Sequence, residues 1–395
     1  MQTSRRDIFL LACCQALLLI NASGLISMNG LVGFSLAQNK SLATFGATTY
    51  VFGSALAAMP MALWMARVGR RTGFMAGASI NIIGCVVGAL ALQWRSFPLF
   101  CVATGIVGVY NAVGLQYRFA AAEVAAPEHK ATAISLVLAG GVVGGLIGPQ
   151  ATRFTRDLFD TPFLGSLVML ALLAIVALAV QSRVRVPAPS LDERTGTGRS
   201  SAEIARQPTF IVAVVAAALG YGLMNLLMTA TPIAMDFCGH PFSAAAWVIE
   251  WHVVAMFAPG FVTGSLIRRF GKIPIILTGV GLMASAVLVA LSGISVAHFV
   301  AALALLGVGW NFMYTGGTTL LTETYRPNEK SRTQGLNDLI VFATMSVSSL
   351  ASGALVTTSG WDTMNRAALP VLAVVAASVL WLAWHRRSRP VTSVV

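Results

Sequence analysis

Long apolar segments separated by short polar stretches make up most of the chain. A helix needs about 20 apolar residues to cross the roughly 30 Å hydrocarbon core of a bilayer. We predict twelve such spans, at residues 9–33, 42–66, 73–94, 97–122, 131–152, 163–182, 209–235, 243–267, 273–294, 297–322, 332–357 and 363–384. The sequence lacks the short alternating strands of a membrane barrel, so the predicted fold is all-α and integral to the membrane.

The composition favours a membrane protein over a soluble one. Of the 395 residues, 56% are hydrophobic and 10% are charged, and the mean hydropathy is +0.78; a soluble domain carries about 25% charged residues. The N-terminus, MQTSRRDIFLLACCQALLLI, stays apolar well beyond the length of a signal-peptide core and predicts a first span. The five cysteines form no CxxC pair, so we predict neither a zinc site nor a disulfide framework.

Positive charge is distributed unevenly between the two sides of the predicted membrane. With the N-terminus inside, 20 of the 26 Lys and Arg residues fall on the inner side and five on the outer side. Membrane proteins place such basic loops in the cytoplasm, so we expect both termini there. We interpret the net charge of +12 as this bias rather than as a nucleic-acid surface, and the bilayer is the expected partner.

One polar stretch, QSRVRVPAPSLDERTGTGRSSAEIARQP (residues 181–208), divides the spans six and six. Its Pro, Gly, Ser and mixed charge are typical of a linker. The predicted domains are an N-terminal six-helix bundle (1–182), a cytoplasmic linker (183–208) and a C-terminal six-helix bundle (209–395).

The two halves of the sequence repeat each other. ALWMARVGRR (62–71), after the second span, aligns with GSLIRRFGKI (264–273), after the eighth, at an offset of 202. EVAAPEHK (123–130) aligns with ETYRPNEK (323–330) at an offset of 200. Two independent matches at nearly one offset indicate a duplicated unit, and therefore two pseudo-symmetric bundles.

Two six-span halves joined by a linker resemble the major facilitator superfamily over the whole chain. The loop signature of that family is Gly-x-x-x-Asp-Arg-x-Gly-Arg-Arg, and it is matched in the two copies by Arg67, Gly69, Arg70 and Arg71, and by Arg269 and Gly271. Ala66 replaces the acid that latches one conformation in the family. The resemblance implies a secondary transporter whose substrate site lies near the midplane and opens alternately to each side.

Met and His recur at one-turn spacing in two neighbouring spans. Met224 and Met228 lie in the seventh predicted span, and His252 and Met256 in the eighth, all in the central third of the bilayer. Residues at i and i+4 share a helix face, so three thioethers and an imidazole converge if the two faces meet. Such soft ligands favour Cu(I). Ordinary core packing of methionine, with the histidine bonded to a backbone carbonyl, is the alternative.

These four residues resemble the ligand pattern of the CcoA-like branch of the superfamily, which comprises bacterial inner-membrane copper importers and a riboflavin-importing relative. The resemblance implies copper ligation by each of the four and a location in the bacterial inner membrane. We therefore expect copper import, with copper as the transported substrate rather than a cofactor and a cytoplasmic copper chaperone as a partner. Import of riboflavin or another small organic molecule is the alternative, and a non-transporting membrane sensor is a third.

Further thiols and imidazoles flank the expected copper path. In MDFCGH (235–240), Cys238 and His240 would capture metal at the outer mouth. Cys13 and Cys14 would receive it near the cytoplasm. A plain loop and apolar packing of the two neighbouring cysteines are the alternatives.

Three charged residues inside the spans are candidates for coupling or gating. Glu250 would carry a proton or pair with an arginine. Arg118, with Glu123 nearby, would form a structural charge pair or snorkel. Asp338 would cap its helix or join an inner gate. Their cost in hydrocarbon makes each a functional hypothesis.

The tenth predicted span contains Trp310, Asn311 and Tyr314, which would line a cavity for a planar isoalloxazine ring; aromatic packing is the alternative. GVGWNFMYTGG in the same span lacks the Lys and Ser/Thr of a phosphate-binding loop. No nucleophile elbow or pair of accessible carboxylates occurs in the sequence. We therefore expect a gradient-driven transporter rather than an ATPase or an enzyme.

Overall fold

The computed structural model describes residues 4–39, 42, 45–187 and 198–387, which are almost entirely α-helical. The N-terminal half comprises α1 (Arg5–Leu36), α2 (Phe45–Val68), α3 (Arg70–Gln93), α4 (Phe97–Gly114), α5 (Tyr117–Val124), α6 (Lys130–Ala139), α7 (Gly141–Thr155) and α8 (Leu164–Gln181). A short helix follows, α9 (Ser201–Ala205). The C-terminal half comprises α10 (Pro208–Phe237), α11 (Phe242–Phe257), α12 (Gly260–Phe270), α13 (Lys272–Ser292), α14 (Val296–Leu321) and α15 (Lys330–Arg387).

Eleven helical segments of the described chain are long and apolar enough to cross a membrane, which confirms the predicted all-α membrane fold. The helix pairs α4–α5, α6–α7 and α11–α12 each form one of these segments. The last helix is too long for a single span, because its 58 residues would extend about 87 Å at 1.5 Å per residue. Gly360 interrupts it with φ 78° and ψ 166°. Gly360 therefore separates the two final spans, and twelve spans result.

The backbone reproduces the sequence repeat. Gly69, before α3, and Gly271, before α13, have φ of 89° and 90° and ψ of 159° and 167°, a region that residues with a Cβ rarely adopt. Short 3₁₀ turns at Pro127–His129 and Pro327–Glu329 precede α6 and α15. These pairs stand at the sequence offsets of 202 and 200, so the two copies fold alike at both places.

The two halves meet along two seams, one between α2 and α15 and the other between α6–α7 and α11–α12. At the second seam, Gly264 lies against the backbone of Thr132, where a Cβ would collide. The hydroxyl of Ser135 donates to the carbonyl of Gly260 and accepts from the N–H of Gly264 at 3.0 Å. Glycine is therefore required on α12 for the backbones of the two halves to approach this closely.

We call the membrane side that holds Arg5, Arg70 and Lys330 the basic face. On this side the second part of the predicted linker is fixed to the C-terminal half: the Arg199 guanidinium donates to both carboxylate oxygens of Glu329, at 2.9 and 2.6 Å. That hydrogen-bonded carboxylate raises the pKa of Arg199. The predicted domain boundaries stay a prediction, and residues 188–197 of the linker lie outside the described residues.

Candidate substrate site

Four aromatic side chains from three helices form a cluster deep in the C-terminal half. Trp310 and Tyr314, one turn apart on α14, stack with centroids 5.0 Å apart and planes 15° apart. Tyr221 of α10 meets both rings edge-on, at 5.1 and 5.3 Å, and Phe257 of α11 meets Trp310 edge-on at 5.5 Å. Trp310 is 11 residues from the end of α14 at Leu321, which is about 16 Å. The aromatic cluster therefore lies near the middle of a roughly 30 Å hydrocarbon core.

Two members of the aromatic cluster carry polar atoms without a hydrogen-bond partner. Trp310 and Tyr314 are each only 1% exposed, yet the indole Nε1 and the phenol oxygen have no partner among the described residues. A buried polar group without a partner costs about 1–3 kcal/mol. Such groups side by side at the midplane point to a ligand that hydrogen-bonds with them. Tyr221 is only partly buried, so its ring offers this ligand an accessible face.

A buried ion pair joins the halves next to the aromatic cluster. The Arg118 guanidinium lies over the Tyr314 ring, 4.5 Å from its centroid. Its Nη2 donates to Asp338 Oδ1 at 2.5 Å, and the two side chains are 1% and 0% exposed. The Gln116 amide donates to Asp338 Oδ2 at 2.5 Å. Arg118 therefore pairs with Asp338 of the opposite half and not with Glu123.

Glu123 instead belongs to a second cross-half network at the basic face, built around Arg70. Arg70 donates to Glu123 Oε1 at 2.7 Å and to Gln116 Oε1 at 2.7 Å, and it also bonds Gln334 of α15. Lys330 of the C-terminal half lies 3.5 Å from Glu123 Oε2. Arg70 is only 4% exposed. We call these contacts the Arg70 latch; they join the halves where Ala66 replaces the family's acid.

An ion pair equivalent to Arg70–Glu123 occurs in the second copy of the repeat, but it lies within one half. Lys272 and Glu323, the counterparts of Arg70 and Glu123, form an ion pair that is about one-third exposed. Glu323 also binds Arg386 at 2.8 Å. The remaining loop-motif residues are exposed or serve the turn: Arg67, Arg71 and Arg269 are exposed, and Gly69 and Gly271 supply the positive φ.

The predicted Met and His ligands lie in one hydrophobic cluster of the C-terminal half. Met224 and Met256 are buried members of that cluster, and Met228 is partly buried and packs against the cluster. His252 is 1% exposed, and its Nδ1 lies 2.7 Å from the carbonyl oxygen of Leu303. A carbonyl only accepts, so Nδ1 carries the proton and Nε2 bears a lone pair. That Nε2 has no partner among the described residues. Metal binding by these four residues stays a prediction.

The other metal candidates are spread over both membrane sides. His240 Nε2 bonds the carbonyl of Ile294 at 2.6 Å, and Cys238 is half-buried beside it in the chain. Cys14 is buried in the hydrophobic core of the N-terminal half, and Cys13 is half-buried. No group of three His, Cys, Asp or Glu side chains that would hold a metal occurs in the described part of the chain.

Two further polar candidates have different surroundings. Glu250 is exposed on α11 and makes no ion pair within the described ranges. Asn311 is fully used in packing: its amide donates to the Met256 carbonyl at 2.7 Å and its oxygen accepts from Thr263 at 2.7 Å. Asn311 thus ties α14 to α11 and α12 rather than lining a cavity.

Sequence reasoning did not single out Tyr221, Gln116 or Gln334. A polar side chain inside an apolar span was the available signal for all three. Tyr221 is seven residues before Met228, two turns along the same face of α10, and its ring completes the aromatic cluster.

With these features in place, the family is clear. The chain matches the Major Facilitator Superfamily at residues 11–249 and 213–394, and it belongs to that superfamily of membrane carriers. The protein is thus a multi-pass membrane transporter, as the loop motif and the repeat predicted.

Two individual relatives and one solved structure are similar to the chain over most of its length. The chain is 40% identical over 380 residues to the riboflavin transporter RfnT of Brucella anthropi, covering 95% of this chain and 96% of that protein. It is 28% identical over 375 residues to the uncharacterized MFS-type transporter YddS of Bacillus subtilis, covering 90% and 86%. The crystal structure of the E. coli fucose:proton symporter FucP is 14% identical with a TM-score of 0.76, covering 95% and 99%. At that identity the likeness shows the fold alone.

Proposed function

We propose that the protein imports riboflavin into the bacterial cytoplasm by alternating access. The observation that carries the proposal is the aromatic cluster at the midplane, with the unpartnered polar atoms of Trp310 and Tyr314. Riboflavin presents a planar isoalloxazine ring, whose faces stack on aromatic side chains and whose edge carries carbonyl and nitrogen acceptors. The indole N–H and the phenol O–H would donate to those acceptors.

The chemistry of the site and the relatives support the same substrate. A pair of aromatic rings in contact contributes about 0.5–1.5 kcal/mol beyond the free energy of the area it buries. A planar isoalloxazine ring stacked on these side chains would gain this contribution. The relative at 40% identity over 95% of the chain is named a riboflavin transporter. In this proposal the basic face is cytoplasmic, as the distribution of Lys and Arg predicts. The halves, with residues 183–208 as their linker, rock about the aromatic cluster.

This proposal replaces the copper import expected from the Met and His pattern. The comparisons offer no support for copper or for a copper chaperone, because the named relative carries riboflavin. One observation keeps copper as a second candidate: the buried, unpartnered lone pair on His252 Nε2, in the same hydrophobic cluster as Met224 and Met256. Imidazole and thioether ligands suit Cu(I).

Uptake of radiolabelled riboflavin and of copper, run in parallel in proteoliposomes, tests both candidates. We expect the wild type to take up riboflavin well above empty liposomes, and Tyr221→Leu to lose most of that uptake. His252→Asn keeps a side-chain N–H for Leu303 while removing Nε2, so we expect it to transport riboflavin as the wild type does. Wild-type riboflavin uptake at the level of empty liposomes would overturn the proposal. Copper uptake that His252→Asn abolishes would establish the second candidate.

A further inference from the structure

Two carboxylates lie more than a helical turn inside the spans of the described chain, Glu250 and Asp338. Carboxylates at such depth are rare and expensive, and in transporters they serve in proton relays. The two differ in their surroundings. Glu250 is exposed on α11, whereas Asp338 is 0% exposed and bound to the opposite half. Of these two carboxylates, only Asp338 is therefore placed where its charge helps to hold the halves together.

The charged and titratable groups that face Asp338 are few. Arg118 donates to it from α5, Gln116 donates from the turn before α5, and Asn337 donates from α15 at 3.0 Å. Arg70 is the next cation and is bonded to the same Gln116 at 2.7 Å.

Beyond Arg118, the neighbouring elements contribute no competing acid. Tyr314 of α14 lies under the Arg118 guanidinium, and Tyr221 of α10 contacts Tyr314. From α2, which also packs on α15, Met59 and Ala62 face Gly335. Within the described residues, Arg118 is thus the ion-pair partner of Asp338, and Arg70 lies beyond Gln116, paired with Glu123.

We propose that riboflavin import is driven by protons and that Asp338 carries the coupling proton; this rests on the proposed function. With Asp338 ionised, its bonds to Arg118 and Gln116 hold the basic face closed. A proton from the opposite side, reaching the carboxylate past the aromatic cluster, neutralises it and removes the charge that holds Arg118. Protonation loosens the basic face, riboflavin bound at the aromatic cluster completes its opening, and Asp338 then releases the proton to the cytoplasm. One proton enters per cycle.

The substrate site and the proton site share a residue, which links their occupancies. One face of Tyr314 carries the Arg118 guanidinium and its ring also stacks on Trp310. A ligand bound at Trp310 and Tyr221 shifts the Tyr314 ring and so changes its contact with the Arg118 guanidinium. Opening therefore responds to substrate and proton together.

Proteoliposomes with an imposed pH difference test the coupling. At one proton per riboflavin, each pH unit gives about tenfold accumulation, and we expect this in the wild type and in Asp362→Asn, an exposed acid near Gly360. Asp338→Asn should exchange labelled for unlabelled riboflavin without any response to the pH gradient. Gradient-driven accumulation by Asp338→Asn equal to the wild type would overturn the proposal. So would exchange without gradient response in the wild type, or loss of drive in Glu250→Gln alone.

A substrate-free measurement keeps the inference separate from the identity of the substrate. In a background with the five native cysteines replaced by alanine, Thr132→Cys reports access to the seam at Gly264 from the basic face. Labelling of the introduced thiol by a water-soluble thiol reagent should rise as the pH falls. Adding Asp338→Asn should make this labelling high at every pH. Labelling that ignores pH in the otherwise wild-type protein would refute proton gating. Absence of riboflavin exchange in the wild type would refute only the proposed function.

Asp338→Asn leaves a buried, unpaired Arg118, which is strongly destabilising and threatens folding. The double variant Arg118→Gln with Asp338→Asn avoids that charge and retains hydrogen-bonding groups. We expect it to fold, to exchange riboflavin and to be insensitive to pH in both assays. A pH response equal to the wild type in this double variant would overturn the assignment to Asp338.

Discussion

Arg118 and Tyr314 contact each other across the two halves of the protein: the guanidinium carbon lies 4.5 Å from the centre of the phenol ring. Arg118 comes from the N-terminal half and closes the basic face, whereas Tyr314 belongs to the aromatic cluster of the C-terminal half. Trp310 also stacks on Tyr314, and the Tyr314 side chain is only 1% exposed, so little of that ring is free. The substrate must therefore find its stacking surface on a neighbouring ring.

Tyr221 is that neighbour, because it is the partly exposed ring among three rings in mutual contact. Stacking of a planar base on an aromatic side chain contributes about 1–3 kcal/mol, which corresponds to roughly 5- to 150-fold in affinity. We expect Tyr221→Leu to raise the KM for riboflavin by about that factor. Tyr221→Phe, which keeps the ring, should stay close to the wild type; equal losses in both variants would contradict stacking.

The indole N–H of Trp310 should donate to the bound substrate. Trp310→Phe keeps a ring in the aromatic cluster and removes this donor, so we expect a KM increase of about 3- to 10-fold, the equivalent of one hydrogen bond. Trp361 provides a matched control, because its Nε1 is also buried without a partner but the ring packs against Phe299 instead. Trp361→Phe should leave the KM unchanged, and a similar increase there would argue for a general packing effect.

The site should reject a substrate that carries a phosphate. Within the described residues, Arg118 is the cation in contact with the aromatic cluster, and Asp338 already neutralises it. A phosphate buried there without a counter-charge costs several kcal/mol. We therefore expect riboflavin 5′-phosphate to compete at least about 100-fold more weakly than riboflavin. Competition at equal concentrations against labelled riboflavin is the measurement, and equal inhibition by the two compounds would show a free cation in the site.

The Arg70 latch should hold the basic face closed. Arg70→Gln removes the charge bound to Glu123 and weakens the bridge to Gln334. Losing about 1.4 kcal/mol from the closed state raises the open population tenfold, so labelling of the Thr132→Cys reporter should rise by about that factor. Lys272→Gln, at the equivalent position of the second copy, is the control and should not change labelling. Unchanged labelling in Arg70→Gln would show that other contacts close this face.

The hydrophobic pattern was enough to predict the spans, because bilayer thickness imposes a length on each of them. The predicted span 297–322 differs from α14 (Val296–Leu321) by one residue at each end. Gly360 likewise falls in the predicted gap between the last two spans. The repeat was also visible, since Gly69 and Gly271 are the residues that a positive φ demands.

Pairings between distant residues were out of reach. Arg118 lies five residues before Glu123 in the sequence, yet it bonds Asp338, 220 positions further on. No local pattern encodes this, because a buried charge selects whichever partner the packing of the two halves brings to it. Asn311 was predicted to line a cavity for the same reason: the hydrogen bonds of its side-chain amide to α11 and α12 could not be predicted from its position beside Trp310.

The ion pairs Arg70–Glu123 and Lys272–Glu323 occupy equivalent positions of the two repeats, yet they differ in burial and in what they join. The first copy is enclosed and tied to the other half, while the second is open to solvent. Only the Arg70 copy contributes to holding the halves together; the Lys272 copy bonds within its own half. The two copies lie on the same side of the membrane, so two equivalent pairs would fasten the basic face twice. With a single pair across the halves, fewer bonds have to break before that face opens.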